Sequence, residues 1–188
     1  LPIWVHELFK QVDNVILSDE SLWRVTSYSR TRVLPMLQEM AKEHGYQIKV
    51  IVYLRRQDQF LSSRWNQNVK SSVGEVRPLG EHLKVVYKTQ KMVVNYASKL
   101  DQLAELFGKE NIIVRRFNPA TWVNNSIIHD FMHYIGLDVK DDLIMPGRLV
   151  NPGLKGNTVE IKRMINKAEN LSVDEKQYLC ASLLAISD

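Results

Sequence analysis

IVYLRRQDQFLSSRWNQ, residues 51–67, joins an apolar run to two arginines and a segment with helical character. The apolar run at 50–54 is rich in β-branched and aromatic residues, which predicts a strand buried on both faces. Arg55 and Arg56 follow directly, and a segment with helical character that contains Ser63 and Trp65 comes next. A helix amino end supplies free N–H groups and partial positive charge, and arginines add donors suited to phosphate or sulfate. Because ligands of open α/β sheets bind at the carboxyl ends of strands, the stretch predicts an anion site.

The same residues resemble a known phosphate-binding element. Arg55 at the end of a strand, Ser63 eight residues later and Trp65 two beyond it resemble the 3′-phosphate-binding element of sulfotransferases, which use 3′-phosphoadenosine-5′-phosphosulfate as donor. The resemblance implies that Arg55 and Ser63 are cofactor-binding residues that hold the 3′-phosphate of this donor. Arg56 and Gln57, where many members have Asp-Pro or Asn-Pro, make the element most similar to bacterial carbohydrate-type members. Arg56 has three interpretations: it shares the phosphate, binds an acidic acceptor, or lies in solvent.

The resemblance extends over nearly the whole chain. Residues 96–117, YASKLDQLAELFGKENIIVRRF, resemble the family's helix, Phe-Gly turn and following strand, and residues 130–137, DFMHYIGL, resemble the end of a later helix. The family likeness implies a three-layer α/β domain of the P-loop type, with a central parallel sheet flanked by helices. Residues 1–188 would form this one domain, incomplete at its amino end.

Hydrophobic periodicity predicts an alternation of strands and helices. A short buried strand at 15–17, a helix at 33–44 that stops at Gly45, and a strand at 48–54 form a βαβ unit with parallel strands. The other predicted elements are a possible helix at 83–87, a strand at 111–117, and helices at 21–30, 57–69, 92–107, 127–135, 158–168 and 173–186.

Composition narrows the class of protein. A hydrophobic content of 45% and a charged content of 24% over 188 residues are ordinary for a globular protein. The net charge of +4 is compatible with an anionic ligand. Lysines and arginines alternate with acids and form no block, so no nucleic-acid partner is expected.

The single cysteine bears on the compartment. Cys180 lies in the apolar run 178–186, which predicts a buried hydrophobic residue. One cysteine excludes an intrachain disulfide and favours a reducing compartment, so the sequons at Asn124 and Asn170 carry no prediction. No apolar stretch approaches the roughly 20 residues of a membrane span, and no signal peptide is recognisable. We therefore expect a cytoplasmic protein without a transmembrane segment.

Sulfuryl transfer to a hydroxyl requires a base, because an alcohol is hardly ionised near neutral pH. Cytosolic sulfotransferases end the corresponding strand with Lys-Thr-His, and the histidine is the base. Ser18-Asp19-Glu20 falls at that place, so the resemblance implies Glu20 as the catalytic residue, with Asp19 as the next choice. The alternative is that both acids only begin a helix, since acids favour helix amino ends.

The family's glycine-rich loop for the 5′-phosphosulfate is absent, since glycine first occurs at Gly45. We expect that loop and its strand to lie upstream of Leu1, so the chain by itself would not be a complete catalyst. Lys155, in a glycine-containing segment that opens a later helix, is a possible phosphate contact. It is otherwise an ordinary loop residue.

Other classes of function remain open from the sequence. His129 and His133 are one helical turn apart, but without a third ligand they predict no metal site. The expected partners are the nucleotide donor and a hydroxyl-bearing acceptor, which the resemblance to carbohydrate-type members implies to be a saccharide; the sequence does not indicate the oligomeric state. A small-molecule kinase would need a Walker-type lysine and a magnesium ligand, and neither is evident. The third alternative is a non-catalytic module that keeps a nucleotide-binding fold.

Overall fold

The computed structural model describes residues 7, 14–18, 22–23, 33–89, 94–137 and 152–187. These residues form a mixed α/β protein that is mostly helical, with a small parallel sheet of two strands. The chain divides into a first unit, Leu1–Leu54 with Gln90–Arg116, and a second unit, Arg55–Thr89 with Phe117–Asp188. In chain order the elements are α1 (Val33–Glu43), β1 (Val50–Leu54), α2 (Gln57–Lys70), α3 (Leu79–Thr89), α4 (Tyr96–Phe107), β2 (Ile112–Arg116), α5 (Ile127–Tyr134), α6 (Asn157–Lys167) and α7 (Val173–Ala185).

The sheet belongs to the first unit. Strands β1 and β2 run parallel, and their register extends from Val50 opposite Ile112 to Leu54 opposite Arg116. Both strands are rich in β-branched residues, which suit a pleated and partly buried surface. Helix α4 packs against β2 and α1. The strands predicted at 48–54 and 111–117 are therefore confirmed, each two residues shorter than predicted.

The predicted strand at 15–17 is wrong. Residues 14–18 form no strand, and the side chains of Ile16 and Leu17 are 61% and 40% exposed. Val15 instead packs against the cluster of Leu37, Met40 and Ala41 on α1. Three β-branched or apolar residues in a row are not enough to specify a strand, because one of them can be buried against a neighbouring helix without any strand pairing. The parallel pair is therefore β1 with β2.

Helix α4 starts later than the apolar pattern predicts. The helix predicted at 92–107 begins at Tyr96, because the Asn95 side chain accepts a hydrogen bond from the Ser98 N–H and caps the first turn. It ends at Gly108, whose φ of +89° is a conformation that residues with a Cβ rarely adopt. Residues 91–93 lie outside the described part of the chain.

A lysine occupies the buried face of α4. The buried residues there are Lys99, Leu103 and Phe107, whereas Ala97 is exposed. The Lys99 ammonium donates to the Trp23 carbonyl at 2.5 Å and lies 4.6 Å from the centroid of the Trp23 ring. Burial lowers the pKa of Lys99 to about 8. The cation is thus held by one carbonyl and one aromatic face.

The second unit is a helical assembly. Helix α2 packs against α3 and α6, and α6 packs against α7. Cys180 is buried against Leu154 and Leu183, which confirms its prediction as a buried hydrophobic residue. Asn66 ties α2 to the chain before α6, because its side chain donates to the Leu154 carbonyl at 2.6 Å and accepts from the Leu154 N–H at 3.2 Å. Within the described ranges, every helix is too short or too polar to cross a membrane.

Candidate functional site

Arg55 and Phe117 are the residues that directly follow β1 and β2, and both belong to the second unit. The guanidinium carbon of Arg55 lies 4.4 Å from the centroid of the Phe117 ring. Phe117 meets the ring of Trp122 edge to face, with centroids 5.1 Å apart. The N–H donors of a guanidinium point outward in its own plane, so an aromatic ring that covers one face leaves them able to bind an oxyanion. The aromatic pair therefore orients a cation at this point of the chain.

Arg56 has a different environment. It is the N-cap of α2, and its Nε and Nη2 donate to the two carboxylate oxygens of Asp58 at 2.7 and 2.5 Å. These hydrogen bonds lower the pKa of Asp58 to about 2. Both side chains are more than half exposed. Of the three interpretations of Arg56, the structure agrees best with a residue at the solvent surface. The guanidinium of Arg56 is there hydrogen-bonded to the carboxylate of Asp58.

Ser63 lies on the exposed face of α2. The buried residues of this helix are Trp65 and Val69, and Ser63 is about 200° round the helix from Trp65. Gln59 and Gln67, one turn to either side of Ser63, are also exposed. The Ser63 hydroxyl is therefore accessible to a ligand.

The structure does not join Arg55 and Ser63 directly. Among the described residues no hydrogen bond links the two side chains, and Ser63 lies six positions after the first residue of α2. That spacing corresponds to about 9 Å along the helix axis. A phosphate that contacts both groups would bridge this gap with the help of the long arginine side chain.

The proposed base lies outside the described residues, as does its alternative, Asp19; nothing in the structure bears on the role of Glu20. Ser18 is described and exposed. The strand predicted at 15–17, which would have ended just before Ser18-Asp19-Glu20, does not form.

Lys155 lies in a loop tied to the end of the chain. Its backbone N–H donates to the Ser187 hydroxyl at 2.5 Å, and its carbonyl accepts from the Thr158 hydroxyl at 2.6 Å. Its side chain is exposed.

The histidines of α5 were considered as metal ligands, and the ring of His133 lies edge to face against the ring of Tyr134. No group of three or more His, Cys, Asp or Glu side chains suited to a metal occurs in the described ranges.

Sequence reasoning missed a buried ionic cluster in the loop after α2. The carboxylate of Glu75 accepts from the Arg77 side chain at 2.8 and 2.7 Å and from the backbone N–H groups of Val76 and Arg77. Its second oxygen also lies 2.7 Å from Nδ1 of His82. The hydrogen bonds from Arg77 are the main reason that the pKa of Glu75 falls to about 2. A loop position beside glycine gave no periodic signal that could have predicted this.

Comparison with known proteins gives one relative. An uncharacterized protein of Archaeoglobus fulgidus is 30% identical over 138 residues, which are 73% of this chain and 36% of that protein. The chain therefore spans about a third of the length of this relative. No family model matches the sequence. No solved structure matches it either.

Proposed function

We propose that this protein transfers a sulfuryl group from 3′-phosphoadenosine-5′-phosphosulfate to a hydroxyl, on a saccharide acceptor, in the cytoplasm. The proposal includes the fold: β1 and β2 would belong to the central parallel sheet of a three-layer P-loop-type domain. One observation carries it, namely the order of strand β1, Arg55, helix α2 and an accessible Ser63. This order matches the 3′-phosphate element of sulfotransferases.

The contacts of Arg55 support a phosphate-binding role. Its guanidinium lies over the Phe117 ring, so the orientation of its donors is set before a ligand arrives. Preorganised donors cost less conformational entropy on binding. Helix α2 begins two residues later, so its first N–H groups lie close along the chain. The Ser63 hydroxyl adds an uncharged donor from the second turn.

The chemistry assigned to the site is an in-line displacement at sulfur. The acceptor oxygen forms a new S–O bond while the bond from sulfur to the bridging phosphate oxygen breaks, and that oxygen leaves with the electron pair. Glu20 takes the acceptor proton. Positioning and electrostatics supply most of the rate, by analogy with phosphoryl transfer.

Calorimetric titration of the 188-residue chain with adenosine 3′,5′-bisphosphate and with adenosine 5′-monophosphate tests the proposal. A charge-assisted hydrogen bond contributes about 1.5–3 kcal/mol, so the bisphosphate should bind at least roughly tenfold more tightly. Ser63→Ala should weaken bisphosphate binding and leave monophosphate binding unchanged. Ser62→Ala, which removes the neighbouring exposed hydroxyl, is the matched control and should behave as the parent chain does.

The titration also separates the alternatives. Magnesium-dependent ATP binding that exceeds bisphosphate binding would replace the proposal with a small-molecule kinase. A folded chain that binds none of these nucleotides would contradict sulfuryl transfer and favour a non-catalytic module. Equal affinity for the bisphosphate and the monophosphate would remove the 3′-phosphate site.

A further inference from the structure

The second unit contains a cavity of about 100 Å³ between the loop after α2 and helices α6 and α7. This volume exceeds the roughly 10–15 Å³ that one water needs, so the cavity has room for several waters or one small ion. Exposed valines stand at its rim, Val73 in the loop and Val173 at the start of α7. The lining consists of Ser71, Ser72, Val73, Gly74, Lys162, Asn166, Val173, Lys176 and Gln177.

Asn166 holds the three sides of this cavity together. Its side-chain N–H groups donate to the carbonyls of Val69 at 2.9 Å and Glu75 at 3.1 Å, the two ends of the loop. The backbone carbonyl of Asn166 accepts from the ammonium of Lys176 on α7 at 3.1 Å. Gly74, with a φ of +61°, turns the loop past Asn166, and an added Cβ would meet that side chain at an ordinary contact distance of 3.5 Å. The cavity is therefore a fixed part of the packing in this unit.

The floor of the cavity carries positive charge. Lys162 is fully buried, and its ammonium donates to the side-chain oxygen of Asn166, an uncharged group. No Asp or Glu belongs to the lining. Among the described residues neither Lys162 nor Lys176 forms an ion pair with a carboxylate. Glu75, the nearest acid along the loop, is already bound by Arg77 and His82.

A buried cation without a counter-charge destabilises a fold unless something neutralises it. Burial has the largest effect on the pKa of Lys162 and lowers it; the positive charge of Lys176 also lowers it, whereas Cys180 raises it. An anion in the cavity would offset both lowering effects. Loop donors complete the site, since the N–H groups of Ser72 and Val73 bond to no backbone carbonyl of the described chain.

We propose that this cavity binds a small tetrahedral oxyanion, either inorganic phosphate or sulfate or the phosphate group of a metabolite. Lys176 and the loop from Ser72 to Gly74 contact the anion from the rim, and the charge of Lys162 attracts it from below. The site is formed by residues other than Arg55 and Ser63 and does not depend on the proposed sulfuryl transfer.

Thermal unfolding in the presence of potassium phosphate or sulfate, against potassium chloride at equal ionic strength, tests this site. A ligand that binds only the folded state raises the unfolding midpoint in a saturable way, so phosphate or sulfate should shift it by several degrees and chloride should not. Lys162→Met keeps the length of the side chain and removes the charge, so it should abolish the shift. Lys167→Met removes an exposed lysine from the same helix and should keep the full shift.

The fold of the Met variant is checked in the same experiment. Without added anion, Lys162→Met should unfold at or above the temperature of the parent chain, because it removes an uncompensated buried cation. Lys176→Gln, at the half-buried rim, should reduce the shift as an independent variant. Glucose 6-phosphate in place of inorganic phosphate identifies the source of the anion. If it raises the unfolding midpoint at a lower concentration than inorganic phosphate does, the ligand is a phosphorylated metabolite. If it raises the midpoint less than inorganic phosphate does, the ligand is the free ion. The proposal would be overturned if phosphate or sulfate raised the unfolding midpoint of the parent chain and of Lys162→Met equally. It would also be overturned if neither anion raised the midpoint of the parent chain more than chloride does.

Discussion

The Arg55 guanidinium and the Phe117 ring form a cation–π pair at 4.4 Å, and each residue directly follows one of the two parallel strands. Such pairs contribute about 0.5–2 kcal/mol, depending on how far the cation is desolvated. Arg55 is half-buried, so the ring restricts it without removing it from solvent. The pair fixes a cation where the proposed ligand would bind.

We expect Phe117→Leu to weaken the binding of adenosine 3′,5′-bisphosphate. Leucine keeps an apolar side chain but removes the ring face, so Arg55 loses its orientation and affinity should fall by roughly threefold to tenfold. Phe117→Tyr preserves the face and should restore the parent affinity. Calorimetric titration measures both variants, and a leucine variant with undiminished affinity would show that the ring has no part in binding.

Glu75→Gln should destabilise the chain by roughly 2–4 kcal/mol, because it leaves Arg77 and two loop N–H groups without their charged acceptor. Urea unfolding at pH 7 measures this loss. Glu169→Gln, an exposed acid in the same unit, should change the free energy of unfolding very little.

The carboxylate of Glu75 also predicts that the stability of the fold depends on pH in the acid range. The pKa of Glu75 is lowered from 4.5 to about 2 in the folded chain, mainly by Arg77. Its stabilising contribution is therefore fully present above pH 4.5 and is lost as pH falls through about 2. The parent chain should lose more stability over this range than Glu75→Gln does. Parallel profiles of the two proteins would show that the cluster contributes nothing to acid sensitivity.

Lys99 predicts the opposite kind of pH dependence. Its pKa falls from 10.5 to about 8 on folding, so between these values the unfolded chain binds more protons than the folded one. Stability should therefore rise as pH increases from 8 to 10.5, because the cost of burying the charge disappears. Lys99→Met should flatten the profile of chemical unfolding over this range. Lys109→Met, at an exposed site in the same unit, should leave it unchanged, and a Lys99→Met profile as steep as the parent's would contradict the assignment.

Glu20→Gln tests the proposed base. General-base catalysis contributes about 10²–10⁴-fold, so transfer of labelled sulfate to saccharides, assayed with a protein that also contains the glycine-rich 5′-phosphosulfate loop, should fall by that factor. Affinity for adenosine 3′,5′-bisphosphate should be unchanged, because the base contacts the acceptor. If Asp19→Asn loses activity and Glu20→Gln retains it, the base is Asp19 and the assignment of Glu20 is wrong.

Local patterns predicted most of the described elements. Helices α1, α2, α5, α6 and α7 lie within two residues of their predicted ends, because apolar spacing and glycine stops are local signals. The predicted helix at 83–87 exists but extends over Leu79–Thr89, since polar residues on its exposed face hid its ends. The strand at 15–17 failed because pairing depends on a neighbour that the short run does not specify.

The candidate site was less predictable, because its contacts join distant segments. The sequence indicated Arg55 and Ser63 but gave no sign of Phe117, which is 62 positions beyond Arg55. Trp65 appeared as part of the phosphate element, yet it is buried and its indole N–H donates to the Arg77 carbonyl at 3.0 Å.

The burial of two lysines could likewise not be predicted from the sequence pattern. Lys99 and Lys162 occupy helix positions where charge predicts solvent, and only the packed structure shows that both are buried.

A ligand–mutant cycle tests most directly whether Arg55 binds the 3′-phosphate of a nucleotide. The affinities of adenosine 3′,5′-bisphosphate and adenosine 5′-monophosphate are measured by calorimetry for the parent chain, Arg55→Gln and, as a matched control, Arg56→Gln. We predict that the preference for the bisphosphate, at least roughly tenfold in the parent and in Arg56→Gln, disappears in Arg55→Gln. A preference that survives unchanged in Arg55→Gln would contradict the account.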